Sequence, residues 1–197
     1  MAFGFSSTEV RDLAISAAVL AFALAKIFFG SVLAGFVPAL VIVAVVFLSH
    51  EVLGHKLVAQ HYGCFAEYRM WPMGLLLALL TSFLGFIFAA PGAVYISPVT
   101  RKRFAFTVVH LTRREHGLIA VAGSAVNIVL GTSLLASSLL WPADLLVIAA
   151  RFSAFLAIFN LLPMPPLDGQ KVLAWSKVGW VTTIAAAVAL YIATLLL

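Results

Sequence analysis

Three side chains capable of chemistry stand close together in the stretch SHEVLGHKL: His50, Glu51 and His55. Imidazole nitrogens and carboxylate oxygens bind zinc, and a glutamate beside a metal-activated water can act as a general base. The preceding residues are apolar, and ionisable groups at membrane depth are costly, so such a cluster marks a functional site. The pattern therefore predicts a metal site in a membrane helix.

The spacing of the two histidines constrains this site. It is His-Glu-x-x-x-His, one residue longer than the His-Glu-x-x-His of zinc proteases. Five residues along a regular α-helix correspond to about 140° of rotation and about 7.5 Å of rise, so His50 and His55 could not share one metal. A π-bulge eased by Gly54 would restore the geometry. Alternatively, Glu51 and His55 bind the metal as an i, i+4 pair, or the site is degenerate.

A possible third ligand lies in FNLLPMPPLDGQK, where Asp168 follows a helix end broken by prolines. Asp-Gly is also common turn chemistry, so a solvated turn is the alternative. Beside a His/Glu cluster in the same small membrane domain, however, Asp168 fits a catalytic zinc. Such a zinc typically takes three protein ligands and keeps one position for water.

The segment from Asn160 to Gly169, NLLPMPPLDG, resembles the N-x-x-P-x-x-x-x-D-G signature of the site-2 protease family of intramembrane zinc metalloproteases. GLIAVAGSAVN, residues 117–127, is similar to the family's A-G-P-x-x-N segment, with Ser124 in place of the proline. The order of the three motifs also matches. The resemblance is to a minimal archaeal or bacterial member that has no appended soluble domain.

The resemblance implies three zinc ligands: His50, His55 and Asp168. It further implies that Glu51 activates the bound water, and that Asn127 and Asn160 hold the substrate strand or the oxyanion. The expected activity is endoproteolysis within or near a membrane-spanning segment of a membrane-protein substrate. Because these residues are all present, we expect the bulge rather than a degenerate site.

Two other functions fit parts of the pattern. One is an inactive relative that binds transmembrane helices without cutting them. The other is a transporter that uses intramembrane His and Asp side chains as proton or metal carriers. A transporter predicts internal repeats, and the sequence shows none.

The composition indicates the elements that must position these residues. The 197 residues are 64% hydrophobic and 10% charged, with a mean hydropathy of +1.15. Soluble domains carry about 25% charged residues. We therefore expect an all-α, multi-pass protein of the cell membrane, in contact with the lipid bilayer. We also expect a single domain over residues 1–197. The net charge of +5 reflects basic loops, not a nucleic-acid partner.

Apolar runs long enough to span a bilayer predict five to six transmembrane helices. They lie at about residues 13–29, 36–62, 73–89, 117–140, 145–162 and 178–196. The basic residues of the loop 101–114 and those near Lys56 and Lys171 share one side only if 73–89 enters the membrane and returns. By length alone, 73–89 could instead cross fully.

PGAVYISPV, residues 91–99, predicts a short membrane-associated strand bounded by prolines. Its edge, at residues 93–96, would lie beside the active site if 73–89 returns to the same side. An exposed strand edge there would hold an unwound substrate by main-chain pairing. The alternative is a plain connecting strand.

Overall fold

The computed structural model describes residues 4–97, 99–102, 105–108 and 110–197. Over these residues the chain is mostly helical. The helices are α1 Ser7–Phe28, α2 Val32–Leu48, a π-helix Ser49–Lys56, α3 Leu57–His61, α4 Pro72–Ser82, α5 Arg113–Leu140, α6 Asp144–Asn160, α7 Asp168–Trp175 and α8 Lys177–Leu195. The strands are β1 Phe65–Met70, β2 Gly92–Ser97, β3 Val99–Lys102 and β4 Ala105–Val108. Arg103 of the basic loop lies outside the described residues.

Three helical segments are long and apolar enough to cross a membrane: Val32–His61, Arg113–Leu140 and Lys177–Leu195. The first runs without a break through α2, the π-helix and α3. Helices α1 and α6, of 22 and 17 residues, follow the predicted runs but are not in this set. The structure therefore shows three candidate spans, and the five to six predicted crossings stay a prediction.

The segment predicted to re-enter the membrane has its two ends side by side. The Trp71 amide donates to the carbonyl oxygen of Pro91 at 2.8 Å, and Met70 lies opposite Gly92 in the sheet. Helix α4 ends at Ser82, earlier than predicted, and the chain then turns back through Gly85, whose φ of 88° suits glycine. The segment therefore folds back on itself instead of running straight through, as the predicted return requires, and its entry into the membrane stays a prediction.

A two-stranded antiparallel sheet joins the ends of this hairpin. β2 confirms the strand predicted in PGAVYISPV, and it pairs with β1, which was not predicted. A second hairpin, β3–β4, follows directly. The prediction of one short β segment therefore underestimated the number of strands, which is four in the described residues.

Close packing of glycines brings the π-helix against α5. A Cβ on Gly54 would lie 2.5 Å from the Cα of Gly123, so the two backbones touch where any larger residue would separate them. Helix α5 also packs along α6 and α7. The fold thereby places the end of the π-helix, the middle of α5 and the start of α7 at one point.

Candidate metal centre

The π-helix brings the two histidines together. From Ser49 to Lys56 the backbone is a π-helix, in which hydrogen bonds join residues five apart instead of four. The five-residue spacing of His50 and His55 therefore places both side chains on the same face. Their Nε2 atoms are 3.1 Å apart. The predicted bulge is confirmed. Glu51 is not one of the converging donors, so its pairing with His55 as two ligands finds no support in the geometry.

Asp168 completes the group from the first turn of α7. Its Oδ2 lies 3.2 Å from His55 Nε2, and one donor atom from each of His50, His55 and Asp168 falls within 4.8 Å of the others. The turn before α7 packs tightly, because a Cβ on Gly169 would lie 2.1 Å from the Leu161 carbonyl oxygen. The Asp-Gly pair is therefore a packed junction rather than a solvated turn.

Each of the three side chains is oriented by a second contact. His55 Nδ1 lies 2.9 Å from the carbonyl oxygen of Ile119, which can only accept, so the proton sits on Nδ1 and Nε2 is left as a metal donor. Lys171 Nζ donates to Asp168 Oδ1 at 2.8 Å, which leaves Oδ2 toward the histidines. Contacts of this kind fix ring orientation and raise ligand basicity.

Asn127 lies behind His50 rather than in front of the metal position. Its side chain is fully buried, and its Nδ2 is 3.0 Å from His50 Nδ1. Its Oδ1 is buried without a hydrogen-bond partner among the described residues. If His50 binds metal through Nε2, its Nδ1 carries a proton, and turning the amide by 180° would let the Asn127 oxygen accept it. Asn127 is thus placed to orient His50.

Glu51 and Asn160 both line a cavity of about 460 Å³ that is also lined by the donors His55 and Asp168. Glu51 is 6% exposed, and its Oε2 has no hydrogen-bond partner within the described part of the chain. Asn160 donates from Nδ2 to the Leu156 carbonyl oxygen at 3.0 Å. A buried, unpartnered carboxylate oxygen beside a metal position is suited to receive a proton. Of the two asparagines, only Asn160 borders this space.

The walls of the cavity come from several elements of the fold. One wall is β2, of which Gly92 to Ile96 all contribute, and another is the turn Pro165 to Asp168. Apolar surface dominates its lining, which suits an apolar substrate segment. Lys171 and His116 lie at its border.

The charge of Asp168 suits metal binding. Burial by itself would raise the pKa of its carboxyl group, but the neighbouring His55 and Lys171 outweigh burial and hold the pKa below the ordinary value. The carboxylate is therefore ionised at neutral pH.

The donors fit zinc in number and type, and two of their three separations fit as well, while the third pair lies within 4.8 Å. Bonds of 2.0–2.2 Å to a tetrahedral ion place ligand atoms roughly 3.3 Å apart, close to the 3.1 and 3.2 Å found. Gly123 leaves the space: a Cβ there would lie 2.3 Å from His55 Nε2 and 2.8 Å from His50 Nε2. Two histidines and one carboxylate also leave a fourth position for water.

Comparison with known proteins agrees with this geometry. A protein of Methanocaldococcus jannaschii named "putative zinc metalloprotease" is 38% identical over 184 residues, which covers 90% of each chain. The chain belongs to this zinc metalloprotease family. No protein-family model and no solved structure matches it. The family and the donor set together identify zinc as the cofactor.

Several residues of the metalloprotease site escaped the sequence reasoning. Lys171 stands three residues after Asp168, a spacing at which helical side chains meet, so this pair was accessible to inspection. Gly123 belongs to the stretch similar to the family's A-G-P-x-x-N segment, but its sequence does not show that it makes room for the metal, and the carbonyl group of Ile119 carries no signal at all. Their roles depend on how closely α5 approaches the π-helix.

Proposed function

We propose that this protein is an intramembrane zinc endopeptidase of the site-2 protease type, which hydrolyses peptide bonds within or near transmembrane segments of membrane proteins. The observation that carries the proposal is the convergence of His50, His55 and Asp168 beside the unpartnered carboxylate of Glu51. Both histidines and Glu51 lie in a segment apolar enough to span a bilayer. Membership of the zinc metalloprotease family supports the protease activity, and the apolar helices support its location in a membrane.

We propose five crossings, by α1, the α2 to α3 segment, α5, α6 and α8, with residues 71–91 entering and returning. This number puts the π-helix, α7 and the basic loops on one side, the cytoplasm by the positive-inside rule. Lipid surrounds the outer faces, where large side chains such as Leu33, Val37 and Val41 repeat at helical spacing and are exposed. No nucleic-acid partner is proposed.

The chain's own residues divide the chemistry among them. His50, His55 and Asp168 would hold the zinc ion, which would supply Lewis-acid chemistry by acidifying water and polarising a carbonyl group. Glu51 Oε2 takes the proton from the attacking water and returns it to the leaving amine nitrogen. The Asn160 amide lies in the same cavity and supports the oxygen on which negative charge develops. Asn127 holds His50 in its orientation.

Substrate binding by strand addition is supported by the register of the sheet. Glu9 accepts a hydrogen bond from the Tyr68 amide and Asp12 from the Met70 amide, so both amides point away from β2. In an antiparallel sheet, the backbone N–H and C=O groups of two directly opposite residues either both face the partner strand or both face away from it. Their partners, Val94 and Gly92, therefore turn their amide and carbonyl groups to the other edge.

That outer edge of β2 borders the cavity. Consecutive residues of β2 line it, which occurs when a cavity runs along a strand edge rather than over one face. A substrate helix must unwind before cleavage, because its carbonyl groups are shielded by intrahelical hydrogen bonds. We propose that the unwound segment pairs with Gly92, Val94 and Ile96.

The protease proposal is tested with purified protein in lipid vesicles, loaded with zinc and given a set of model transmembrane substrates. Wild type should cut at least one substrate, and Glu51→Gln should lower the rate about 1,000-fold, since general acid–base groups contribute on the order of 10²–10⁴. Glu115→Gln is the matched control, because glutamine also serves in the capping box at the start of α5. Equal inactivity of zinc-loaded wild type and Glu51→Gln on every substrate would refute the proposal.

Strand addition is tested at one amide. Val94→Pro removes the outward N–H without touching a ladder hydrogen bond, whereas Val94→Ala keeps the N–H. We expect Val94→Pro to lower kcat/KM about 10-fold, as loss of one buried hydrogen bond implies. Val94→Ala should stay near wild type. Equal kcat/KM for the two variants would show that the substrate does not pair there.

A further inference from the structure

A second group of ionisable side chains is buried next to the metal centre and takes no part in the chemistry described above. Glu9 and Lys56 are each 1% exposed, and Asp12 is 3% exposed. We refer to Glu9, Asp12 and Lys56 as the α1 clamp. Charges at such depth are costly even when paired, and apolar residues of similar size often give equal stability. The clamp therefore calls for a role other than stability.

Glu9 joins three elements through its two carboxylate oxygens. Its Oε2 accepts a hydrogen bond from Lys56 Nζ at 2.5 Å, and its Oε1 accepts one from the Tyr68 amide of β1 at 3.0 Å. Lys56 also donates to the Gly4 carbonyl oxygen at 2.8 Å and lies 4.0 Å from the centre of the Phe5 ring. One carboxylate thus links α1, the π-helix and the sheet.

The two ends of this link are functional positions. Lys56 directly follows the metal ligand His55 in the π-helix. Tyr68 lies opposite Val94, whose outward groups border the cavity. The path from the metal to the substrate edge therefore runs through His55, Lys56, Glu9, Tyr68 and Val94.

Further contacts stop β1 from sliding or rotating about that link. Asp12 Oδ2 accepts from the Met70 amide at 3.3 Å, one strand repeat beyond Tyr68. The Tyr68 hydroxyl donates to Ser16 Oγ at 2.9 Å. Two carboxylates on successive outward amides fix the strand lengthwise, because a shift by one residue would turn those amides the other way.

We propose that Glu9 and Lys56 are positioning residues that hold the β1–β2 sheet in register with the metal centre and so select which peptide bond is cut. This inference rests on the proposed function. A strand repeat advances about 3.3 Å per residue, so a displacement of that size presents the neighbouring bond to the metal. A clamp that only stabilised the fold would leave the choice of bond unchanged.

The test separates position from stability with a double variant. Glu9→Gln/Lys56→Met removes both charges together, and the glutamine oxygen still accepts from the Tyr68 amide. The single variants leave one buried charge unpaired and serve to show coupling. Glu115→Gln/Lys177→Met makes the same chemical changes at two helix starts, where neither residue is a metal donor or a member of the clamp, and is the matched control.

The first readout is the set of cleavage products, identified by mass spectrometry on one model transmembrane substrate. Wild type and the control pair should cut mainly one bond. The double variant should bind zinc one to one, spread its cuts over adjacent bonds and lose about 10-fold in kcat/KM, the size expected when a reacting group is misplaced by a small distance. An unchanged product pattern in an active double variant would overturn the inference.

The second readout does not depend on proteolysis. Tyr95 on β2 is 67% exposed, so Tyr95→Cys carries a trifluoromethyl label, with Cys64 buried and unreactive. Replacing zinc by Co²⁺ then enhances the ¹⁹F relaxation rate according to the distance between label and metal. The wild-type clamp should give one enhanced rate, and the double variant several rates or a smaller one.

The two proposals fail in different ways. An inactive wild type with a label signal that depends on the clamp would refute the protease and keep the coupling between sheet and metal. An active double variant with wild-type products and the wild-type label signal would refute the role of the clamp and keep the protease.

Discussion

His55 and Lys56 are neighbours on one turn of the π-helix, yet they belong to regions that treat buried polar atoms in opposite ways. At the metal centre, Glu51 Oε2 and Asn127 Oδ1 are buried without partners among the described residues. In the α1 clamp, both oxygens of the Glu9 carboxylate are hydrogen-bonded. Unmet hydrogen-bonding capacity is costly, so it accumulates where a reactant or a metal will use it. The clamp, which is fully partnered, holds elements in place.

The largest effect is expected when one charge of the clamp is removed and its partner stays buried. Lys56→Met removes the ammonium group and keeps the buried Glu9 carboxylate, so we expect a loss of about 3–5 kcal/mol in the free energy of unfolding. Unfolding in detergent mixtures measures it. Adding Glu9→Gln should recover most of the loss, because no unpaired charge then remains.

The zinc stoichiometry of this variant shows whether loss of the clamp charge affects the metal centre as well as the free energy of unfolding. Lys56→Met should keep one zinc per folded chain, since Lys56 is not one of the three converging donors. If the single variant is as stable as wild type, or if Glu9→Gln adds a further loss, the clamp is not a coupled pair.

A second change attacks the metal centre without touching a ligand. Gly123→Ala places a methyl group within 2.3 Å of His55 Nε2 and 2.8 Å of His50 Nε2. Forcing the rings apart should lower zinc affinity about 100-fold, within the usual cost of overpacking. Competition with a chelator measures the affinity.

Gly131→Ala is the control for that change, on the same helix, where the new methyl group would meet the end of the Leu190 side chain. It should bind zinc like wild type. If Gly123→Ala also binds zinc like wild type, the metal does not sit between the two histidines as proposed.

The smallest effect expected concerns the orientation of a ligand. Asn127→Leu keeps approximate volume and removes the acceptor for His50 Nδ1–H, so zinc affinity should fall about 10- to 30-fold, the range typical of such contacts. The Co²⁺ absorption spectrum of the loaded protein should shift as well. Asn127→Asp, which offers an acceptor, should restore affinity better than Asn127→Leu.

Retained Co²⁺ spectra in Asn127→Leu, together with a raised KM, would return Asn127 to the role suggested by the family resemblance, in contact with substrate. In that case the unpartnered Asn127 Oδ1 atom would accept a hydrogen bond from a bound peptide rather than from His50.

The elements with strong local signals were predicted well. The apolar runs predicted all the long helices, with the largest error at α1, which begins six residues before the predicted run. They succeed because about 20 apolar residues have few other stable arrangements in a bilayer. The short elements were harder. Helix α7 was not predicted, because it is short and directly follows a proline-rich turn. Strand β1 was not predicted either, because its sequence shows too little alternation of apolar and polar residues.

The donors of the metal site followed from residue type and order alone. The donors are His50, His55 and Asp168, and their cluster with Glu51 stood out because ionisable side chains are costly in an apolar chain. What the sequence left open was the residue inserted between Glu51 and His55. A regular helix and a π-helix are both local options, and the approach of Gly54 to Gly123 accompanies the second.

The tertiary structure alone decided which polar residues serve the metal and which hold the frame. Asn127 and Asn160 looked alike in the sequence, yet one lies behind His50 and the other borders the cavity. Lys56 and Glu9, 47 positions apart, and Glu9 and Tyr68, 59 apart, meet only after the helices pack. Contacts at such separations leave no periodic trace in the chain, because they depend on the joint placement of several elements rather than on any one of them.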